Sequence, residues 1–184
     1  MSALAKLLQR ATVRTKGPWD DALEQPRFGV MLHYTAGTDL SGLQWLLFDP
    51  KCRASYSDLV LDDGTVVCIA PRDARAYHAG VCRPSAGILA ATKGQGYHDA
   101  NSAFYGIAIA AESGDTATAA QLNIVTLMTA ALFRNHQWPV EHVAFRLTDH
   151  ASEAWPRGRK VDTGTVLPLD VMRARVVAAL LRAA

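Results

Sequence analysis

Short apolar runs and one turn signature predict the strands of this chain. Residues 28–33 and 104–111 are almost continuously apolar, which is typical of strands that are buried on both faces. Residues 55–61 and 65–70 flank Asp62-Asp63-Gly64, and an Asp-Gly pair supplies the positive φ that a tight hairpin turn requires. The pattern therefore predicts two central strands and a hairpin.

Three other segments repeat apolar residues at helical spacing. They are residues 40–48, a long segment from Asp115 or Thr116 to about residue 135, and residues 169–181. Residues 140–147, between the last two helices, are predicted to form a further strand. The element order is β-α-β-β-loop-β-α-β-loop-α. It predicts an α/β fold, a single domain with a mixed central β-sheet and helices on both faces.

Two stretches show little periodicity. Residues 1–26 start as a short amphipathic segment and are broken by Gly17-Pro18-Trp19, so we expect an N-terminal arm that lies across a domain of residues 27–184. Residues 71–103 contain four glycines and two prolines, which predicts a long irregular loop. Loops of this length inside a compact domain are usually functional.

Composition narrows the class of protein. The 184 residues carry a net charge of +2, which gives no support for nucleic-acid binding. There are three cysteines, Cys52, Cys68 and Cys82. Their odd number argues against a disulfide framework, and their spacing argues against a zinc knuckle. Lys6 and Arg10 interrupt the N-terminal apolar patch, and no run approaches the roughly 20 apolar residues that span a bilayer. We expect a monomer that is made in the cytoplasm, with no membrane insertion and no nucleic-acid partner.

Polar chemistry concentrates at one strand end and in one late loop. His33 closes the first predicted strand, and the loop from His150 to Asp162 contains a second imidazole, an ammonium and a carboxylate. Two histidines and one carboxylate make a zinc set that leaves a fourth position for water. His136 and His142 compete with His150. His136 suits the C-terminal turn of a helix, and His142 lies at the start of the predicted strand, the wrong end for a site built where that strand exits.

Five motifs follow one another along residues 28–165. They are His33-Tyr-Thr-Ala-Gly, Ser55-Tyr56-Ser57 with residues 59–64, Tyr77-His78-Ala79-Gly80, Asn101 to Ile107, and Arg159-Lys160-Val161-Asp162-x-Gly164. Together they resemble the motifs of the type 2 N-acetylmuramoyl-L-alanine amidases, which share a fold with the peptidoglycan recognition proteins. The last motif carries Thr163 where the family has proline.

This resemblance implies a Zn²⁺ cofactor held by His33, His150 and Asp162. Nitrogen and oxygen ligands suit zinc, which can lower the pKa of a bound water to about 7 and polarise an amide carbonyl. The resemblance also implies two catalytic residues. Tyr56 would orient the water or assist proton transfer, and the Lys160 ammonium would stabilise a tetrahedral oxyanion. The substrate-binding residues that it implies are Thr35, His78 and Asn101.

Where this chain departs from the family pattern, its catalytic residues are most similar to those of the short phage amidase endolysins. Members of the branch that recycles anhydromuramyl peptides carry a glutamate where this chain has Ala108. Glu112 comes four residues later, about 13 Å farther along a strand, and is a poor substitute. Ser57 replaces a histidine that is usual on the second strand. Together with Tyr56, these residues indicate the phage-type mechanism.

The implied function is zinc-dependent cleavage of the amide bond between N-acetylmuramic acid and L-alanine in peptidoglycan. A phage or prophage endolysin would wait in the cytoplasm and reach the cell wall through a holin-type pore. Two alternatives stay open, a cytosolic amidase of wall recycling and a non-catalytic peptidoglycan-binding module. The presence of Asp162 as the third ligand favours an enzyme, because some peptidoglycan recognition proteins keep the groove but lose the zinc ligands.

Overall fold

The computed structural model describes residues 19–20 and 22–182. Within them the strands are β1 (Trp19–Asp20), β2 (Gly29–Tyr34), β3 (Asp58–Val60), β4 (Val66–Cys68), β5 (Arg75–Ala76), β6 (Phe104–Ile109) and β7 (Leu147–Asp149). The helices are α1 (Asp39–Phe48), α2 (Ala86–Ala91), α3 (Ala100–Ala103), α4 (Ala119–Asn135), α5 (Val143–Arg146), α6 (His150–Glu153) and α7 (Leu169–Leu181), with a 3₁₀ turn at Val140–His142.

A five-stranded sheet in the order β4-β3-β6-β2-β7 forms the centre of the domain. β2 pairs in parallel with β6 and β7, β6 pairs in parallel with β3, and β4 joins β3 as an antiparallel edge strand. β2 and β6 are buried along their whole length, as their continuous apolar sequences require. The predicted α/β fold with a mixed central sheet is confirmed, and so is the hairpin, whose Gly64 has a φ of 87°.

The alternation of side chains along β2 divides the core between the two faces of the sheet. Leu32 packs with Phe133 of α4 in the largest hydrophobic cluster, which also includes residues of α7. Met31 lies on the opposite face and packs with Ile88 of α2. Helix α1 covers that same face nearer to β3. His33 therefore lies on the face of Met31, between the parts covered by α1 and α2.

Helix α4 begins later than predicted. The Thr118 hydroxyl accepts a hydrogen bond from the Gln121 backbone N–H, and the Gln121 side chain accepts one from the Thr118 N–H. This reciprocal capping box satisfies two N–H groups that would otherwise lack helical partners. Asp115 and Thr116 lie in the irregular segment before the helix, so the predicted caps were wrong.

The prediction of a strand over residues 140–147 was also wrong. The segment forms the 3₁₀ turn and α5, and only its last residue, Leu147, enters β7. Val140, Val143 and Leu147 follow one another at intervals of three and four residues, which is a helical spacing. Arg146, at the end of α5, donates a hydrogen bond to the Phe28 carbonyl and thereby joins α5 to the start of β2.

The segment predicted to be irregular, residues 71–103, contains β5 and two short helices. Ser85 caps α2 by accepting a hydrogen bond from the Ile88 N–H, and Asp99 caps α3 by accepting one from the Ser102 N–H. These cap residues were available in the sequence as helix-start signals. The prediction of a single loop overlooked them.

The N-terminal arm predicted for residues 1–26 lies mostly outside the described residues. Its described part includes β1, which pairs antiparallel with β5. The division into an arm and a domain of residues 27–184 stays a prediction. Among residues 19–20 and 22–182, no helix has the length and apolar character needed to cross a bilayer.

Candidate metal centre

Two histidines and a carboxylate converge where two parallel strands end. His33 lies near the carboxyl end of β2, and β7, parallel beside it, leads directly into His150 at the start of α6. Neighbouring parallel strands end at one edge of a sheet, which brings both imidazoles to the same place. Asp162 arrives from the loop after α6. One ligand atom from each of the three residues lies within 4.8 Å of the others.

The atoms that face one another are the two Nδ1 atoms and one carboxylate oxygen. Asp162 Oδ2 lies 3.3 Å from His150 Nδ1 and 3.5 Å from His33 Nδ1. His33 Nδ1 is buried and has no hydrogen-bond partner, which is uncommon for a buried polar atom. A cation among the three atoms would give His33 Nδ1 a partner. The donor set therefore fits a metal ion that prefers nitrogen and oxygen ligands.

The electrostatic environment keeps two of these groups in the state that metal binding requires. Burial lowers the pKa of His33 to about 4, and contact with Asp162 only partly opposes that effect. Burial raises the pKa of Asp162, but contacts with His150 and His33 outweigh it and hold that pKa below its usual range. At neutral pH, His33 is neutral and Asp162 is ionised, as metal ligands must be.

The other ring nitrogens are held by the segment 77–80, here named the 77–80 loop. His150 Nε2 lies 2.7 Å from the Ala79 carbonyl oxygen, and His33 Nε2 lies 3.0 Å from His78 Nδ1. His78 Nε2 lies in turn 3.2 Å from the Phe104 carbonyl oxygen. Each of the two candidate ligand histidines thus has one ring nitrogen turned towards Asp162 and the other in contact with this loop.

Tyr56 and Lys160 lie in different environments. The Tyr56 ring is buried, and its centroid is 5.1 Å from that of the His33 ring. Burial, with a smaller contribution from Asp162, raises the pKa of Tyr56 above its usual value, so the phenol stays protonated at neutral pH. Lys160 is exposed, and its charge contributes to lowering the pKa of His33. Tyr56 can therefore donate a hydrogen bond near His33, while Lys160 is exposed to solvent.

The residues implied as substrate contacts form hydrogen bonds with other groups of the protein. His78 and Asn101 are only 6% and 8% exposed. Asn101 Oδ1 accepts hydrogen bonds from the backbone N–H groups of His78 and Ala79. Thr35 is half-buried, and its hydroxyl donates to the Gly37 carbonyl at 2.9 Å. A contact of Thr35, His78 or Asn101 with substrate stays a prediction, and the observed bonds place two of them in support of the histidines.

The two competing histidines are engaged elsewhere. His136 Nε2 lies 2.8 Å from the Tyr105 hydroxyl, and the His136 ring stacks on Trp138. His142 Nδ1 accepts a hydrogen bond from Arg146 Nε at 3.3 Å. Neither joins the cluster of candidate ligands found among the described residues. Their contacts suit structural positions at the end of α4 and in the turn before α5.

The departures from the family pattern occupy defined places. Ala108 pairs with His33 in the register of β2 and β6, so the neighbouring position carries a methyl group. Glu112 is exposed beyond the end of β6. Ser57 is buried, and its hydroxyl has no hydrogen-bond partner. The position of the family glutamate therefore offers no acid or base in this chain.

Some groups that support the site were not apparent from the sequence. The Ala79 and Phe104 carbonyls are backbone atoms, which leave no residue-specific signal. Gly106 did leave one, because a glycine inside a strand often marks a close approach. A Cβ added at Gly106 would lie 2.6 Å from His78 Cγ, so only glycine lets the ring approach β6 this closely.

Comparison with known proteins relates the chain to one family. The family model described as N-acetylmuramoyl-L-alanine amidase, Amidase_2, matches residues 24–165. No curated protein matches the sequence significantly.

Solved amidases share the fold. A selenomethionine derivative of AmpD is similar with a TM-score of 0.64 at 23% identity, over 86% of this chain and 89% of that chain. AmiD from E. coli, in complex with the substrate anhydro-N-acetylmuramic acid-L-Ala-D-γ-Glu-L-Lys, has a TM-score of 0.62 at 20% identity, over 82% of this chain and 58% of that chain. The amidase LysC from Clostridium intestinale URNW has a TM-score of 0.59 at 14% identity, over 89% and 94% of the two chains.

Proposed function

We propose a zinc-dependent hydrolysis for this chain, which belongs to the N-acetylmuramoyl-L-alanine amidase family. The bond cut is the amide between the lactyl group of N-acetylmuramic acid and L-alanine in peptidoglycan. The observation that carries the proposal is the convergence of His33, His150 and Asp162, with the buried His33 Nδ1 lacking a hydrogen-bond partner. Three protein ligands of these types leave a fourth zinc position for water.

The metal and the residues around it have distinct roles in the proposed amide hydrolysis. A zinc ion held by the three ligands supplies a Lewis acid and an acidified water. The Lys160 ammonium stabilises the negative charge that develops on the lactyl oxygen. The centroid of the Tyr56 ring lies 5.1 Å from that of the His33 ring. Its protonated phenol assists proton transfer to the leaving amine. Neither residue is a ligand in this proposal. The Tyr56 phenol stays protonated, and a charged lysine has three donors and no lone pair.

Within the family, we propose a phage or prophage endolysin acting as a monomer. Ala108 lies beside His33 where the recycling amidases carry glutamate, and Tyr56 lies against the same imidazole. The protein would be made in the cytoplasm and would reach the wall through a holin-type pore. Residues 27–184 would form the catalytic domain.

A cytosolic amidase of wall recycling is the second candidate. AmiD, one of the similar solved structures, contains an anhydromuramic peptide, and such peptides are the soluble fragments that recycling would supply. Intact cell wall and soluble anhydromuropeptide therefore distinguish the two roles as substrates.

The test offers both substrates to zinc-loaded protein and measures new amino termini and new reducing ends. We expect L-alanine amino termini without reducing ends, and clearing of intact cell walls. Cleavage confined to soluble anhydromuropeptides would support recycling instead. New reducing ends would contradict an amidase, because they indicate a glycosidase with paired carboxylates. Asp162→Ala is the matched control. If the parent protein binds walls without cutting, as a variant lacking zinc would, the chain is a binding module.

A further inference from the structure

We infer that the 77–80 loop, anchored by Asn101 and seated on Gly106, sets the ring orientation and tautomer of both ligand histidines. His78 and Asn101 are then positioning residues of the metal centre. The inference rests on the proposed function only in taking His33 and His150 as ligands. The arrangement of hydrogen bonds itself exists in the chain without a metal.

The first step concerns His150. A carbonyl oxygen can only accept a hydrogen bond, so the 2.7 Å contact with the Ala79 oxygen requires a proton on His150 Nε2. As a metal ligand the imidazole must be neutral, with one N–H, so its Nδ1 then offers a lone pair. That lone pair faces Asp162 Oδ2 at 3.3 Å. The Ala79 carbonyl therefore selects the ligand atom of His150.

The second step applies the same reasoning to His33 through His78. The contact of His78 Nε2 with the Phe104 carbonyl places the proton of His78 on Nε2. A charged His78 would be costly at 6% exposure, because neither of its two partners, a carbonyl and an imidazole, carries a compensating negative charge. Neutral His78 thus accepts at Nδ1, and His33 must donate from Nε2 at 3.0 Å. His33 Nδ1 remains as a lone pair, which explains why it lacks a partner.

The third step identifies what holds the loop. The backbone N–H groups of His78 and Ala79 both donate to Asn101 Oδ1, at 3.0 and 2.9 Å. One buried amide oxygen thus fixes the residue that orients His33 and the residue that orients His150. Outer-shell partners of this kind fix the tautomer and ring orientation of histidine ligands in metal sites. Here a single short loop serves both histidines.

The fourth step explains how the His78 ring reaches its position. Gly106 lies opposite Met31 in the register of β2 and β6, two residues before the partner of His33. A Cβ at Gly106 would lie 2.6, 2.8 and 3.0 Å from His78 Cγ, Cδ2 and Cβ. These distances are too short for a real side chain, so an alanine would push the ring away from β6. Displacement of His78 would remove the acceptor for His33 Nε2.

The first measurement uses the unmodified, zinc-free protein. Nitrogen NMR of ¹⁵N-histidine-labelled protein reports which ring nitrogen carries the proton. We expect His33, His78 and His150 all to be protonated at Nε2, with assignments made by single substitutions. A neutral His33 or His150 that carries its proton on Nδ1 instead of Nε2 in the folded, zinc-free protein would overturn the inference. This result is independent of amidase activity, and failure to bind zinc would count against the proposed function alone.

The second measurement uses variants and zinc affinity from chelator competition. His78→Phe keeps the ring volume and removes the acceptor, and it should weaken zinc binding on the order of 10–100-fold. His78→Asn restores an acceptor near the Nδ1 position and should recover most of that loss. Gly106→Ala should weaken zinc binding with His78 still present. Zinc affinity within twofold of the parent in both His78→Phe and Gly106→Ala would overturn the inference.

A purely structural His78 would give a different pattern. His78→Phe would then change the unfolding midpoint while His33 kept its Nε2–H tautomer. If His78→Phe does not fold, the tautomers of the unmodified protein and the zinc affinity of His78→Asn still decide the question. Loss of zinc affinity in His78→Asn as large as in Gly106→Ala would also contradict the inference.

Discussion

Acidification of the zinc-free protein should destabilise it through His33. Burial lowers the pKa of His33 from 6.5 to about 4 in the folded protein. The unfolded chain therefore binds a proton to this imidazole between those two values, while the folded chain does not. Stability rises with pH wherever the unfolded state binds more protons. The contribution of His33 is therefore complete above the unfolded pKa and is lost progressively as the pH falls towards about 4.

The size of the effect follows from the pKa difference. A difference of about 2.5 between 6.5 and about 4 corresponds to roughly 3 kcal/mol when the pH has fallen below both values. Between about pH 7 and about pH 5, the linkage relation gives a loss of roughly 2 kcal/mol. His33 is fully buried, so solvent screening does not reduce this figure. Burial also lowers the pKa of His78, which adds a loss of the same sign.

Urea denaturation of the metal-free parent and of His33→Asn isolates the contribution of His33 to the pH dependence of the unfolding free energy. The constant cost of the substitution cancels when only its change with pH is considered. The unfolding free energy of the parent, relative to the variant, should fall by roughly 2 kcal/mol between about pH 7 and about pH 5. His98→Asn, at an exposed position, controls for the loss of a histidine. A difference between parent and His33→Asn that stays constant across this range would refute the reasoning.

Two further predictions concern the ligands and the chemistry. His150→Ala should lose zinc by elemental analysis, while His142→Ala should retain one zinc per chain, because His142 is bonded to α5 and lies outside the cluster. Loss of zinc from His142→Ala alone would contradict the ligand set. Lys160→Ala and Tyr56→Phe should keep zinc and lower kcat on purified wall about 100-fold or more. Glu112→Gln should be nearly silent, and an inactive Glu112→Gln beside a normal Tyr56→Phe would indicate a glutamate mechanism.

The sheet was predictable because its signals are local and strong. Continuous apolar runs define β2 and β6, and Asp63-Gly64 defines the turn between β3 and β4. The helical structure of residues 140–147 was not predictable in the same way, because a short apolar run fits a strand and a helical turn equally well. Tertiary contact decided it, since α5 packs its Val143 into the core and joins the start of β2 through Arg146. Short elements depend on such contacts more than on their own composition.

The ligand set was suggested by residue types and chain order, whereas its supports were not. A histidine at the end of β2 and another directly after β7 meet because parallel neighbours end together. The Ala79 carbonyl that orients His150 has no sequence signature, because every residue carries the same group. His78 was noticed from its motif and assigned to substrate, since a motif shows that a residue matters without showing what it contacts. Its 3.0 Å approach to His33 required the folded chain.

The different exposure of Tyr56 and Lys160 bears on when each can act. Tyr56 is buried beside His33, so its phenol is in place before substrate arrives. Lys160 is exposed, and a charge in water interacts weakly with its surroundings. A wall fragment that covers the loop before Asp162 would displace that water and strengthen the field of the ammonium at the scissile carbonyl. In the proposed mechanism Lys160 would therefore contribute most once substrate is bound, and its loss should lower kcat without loss of zinc.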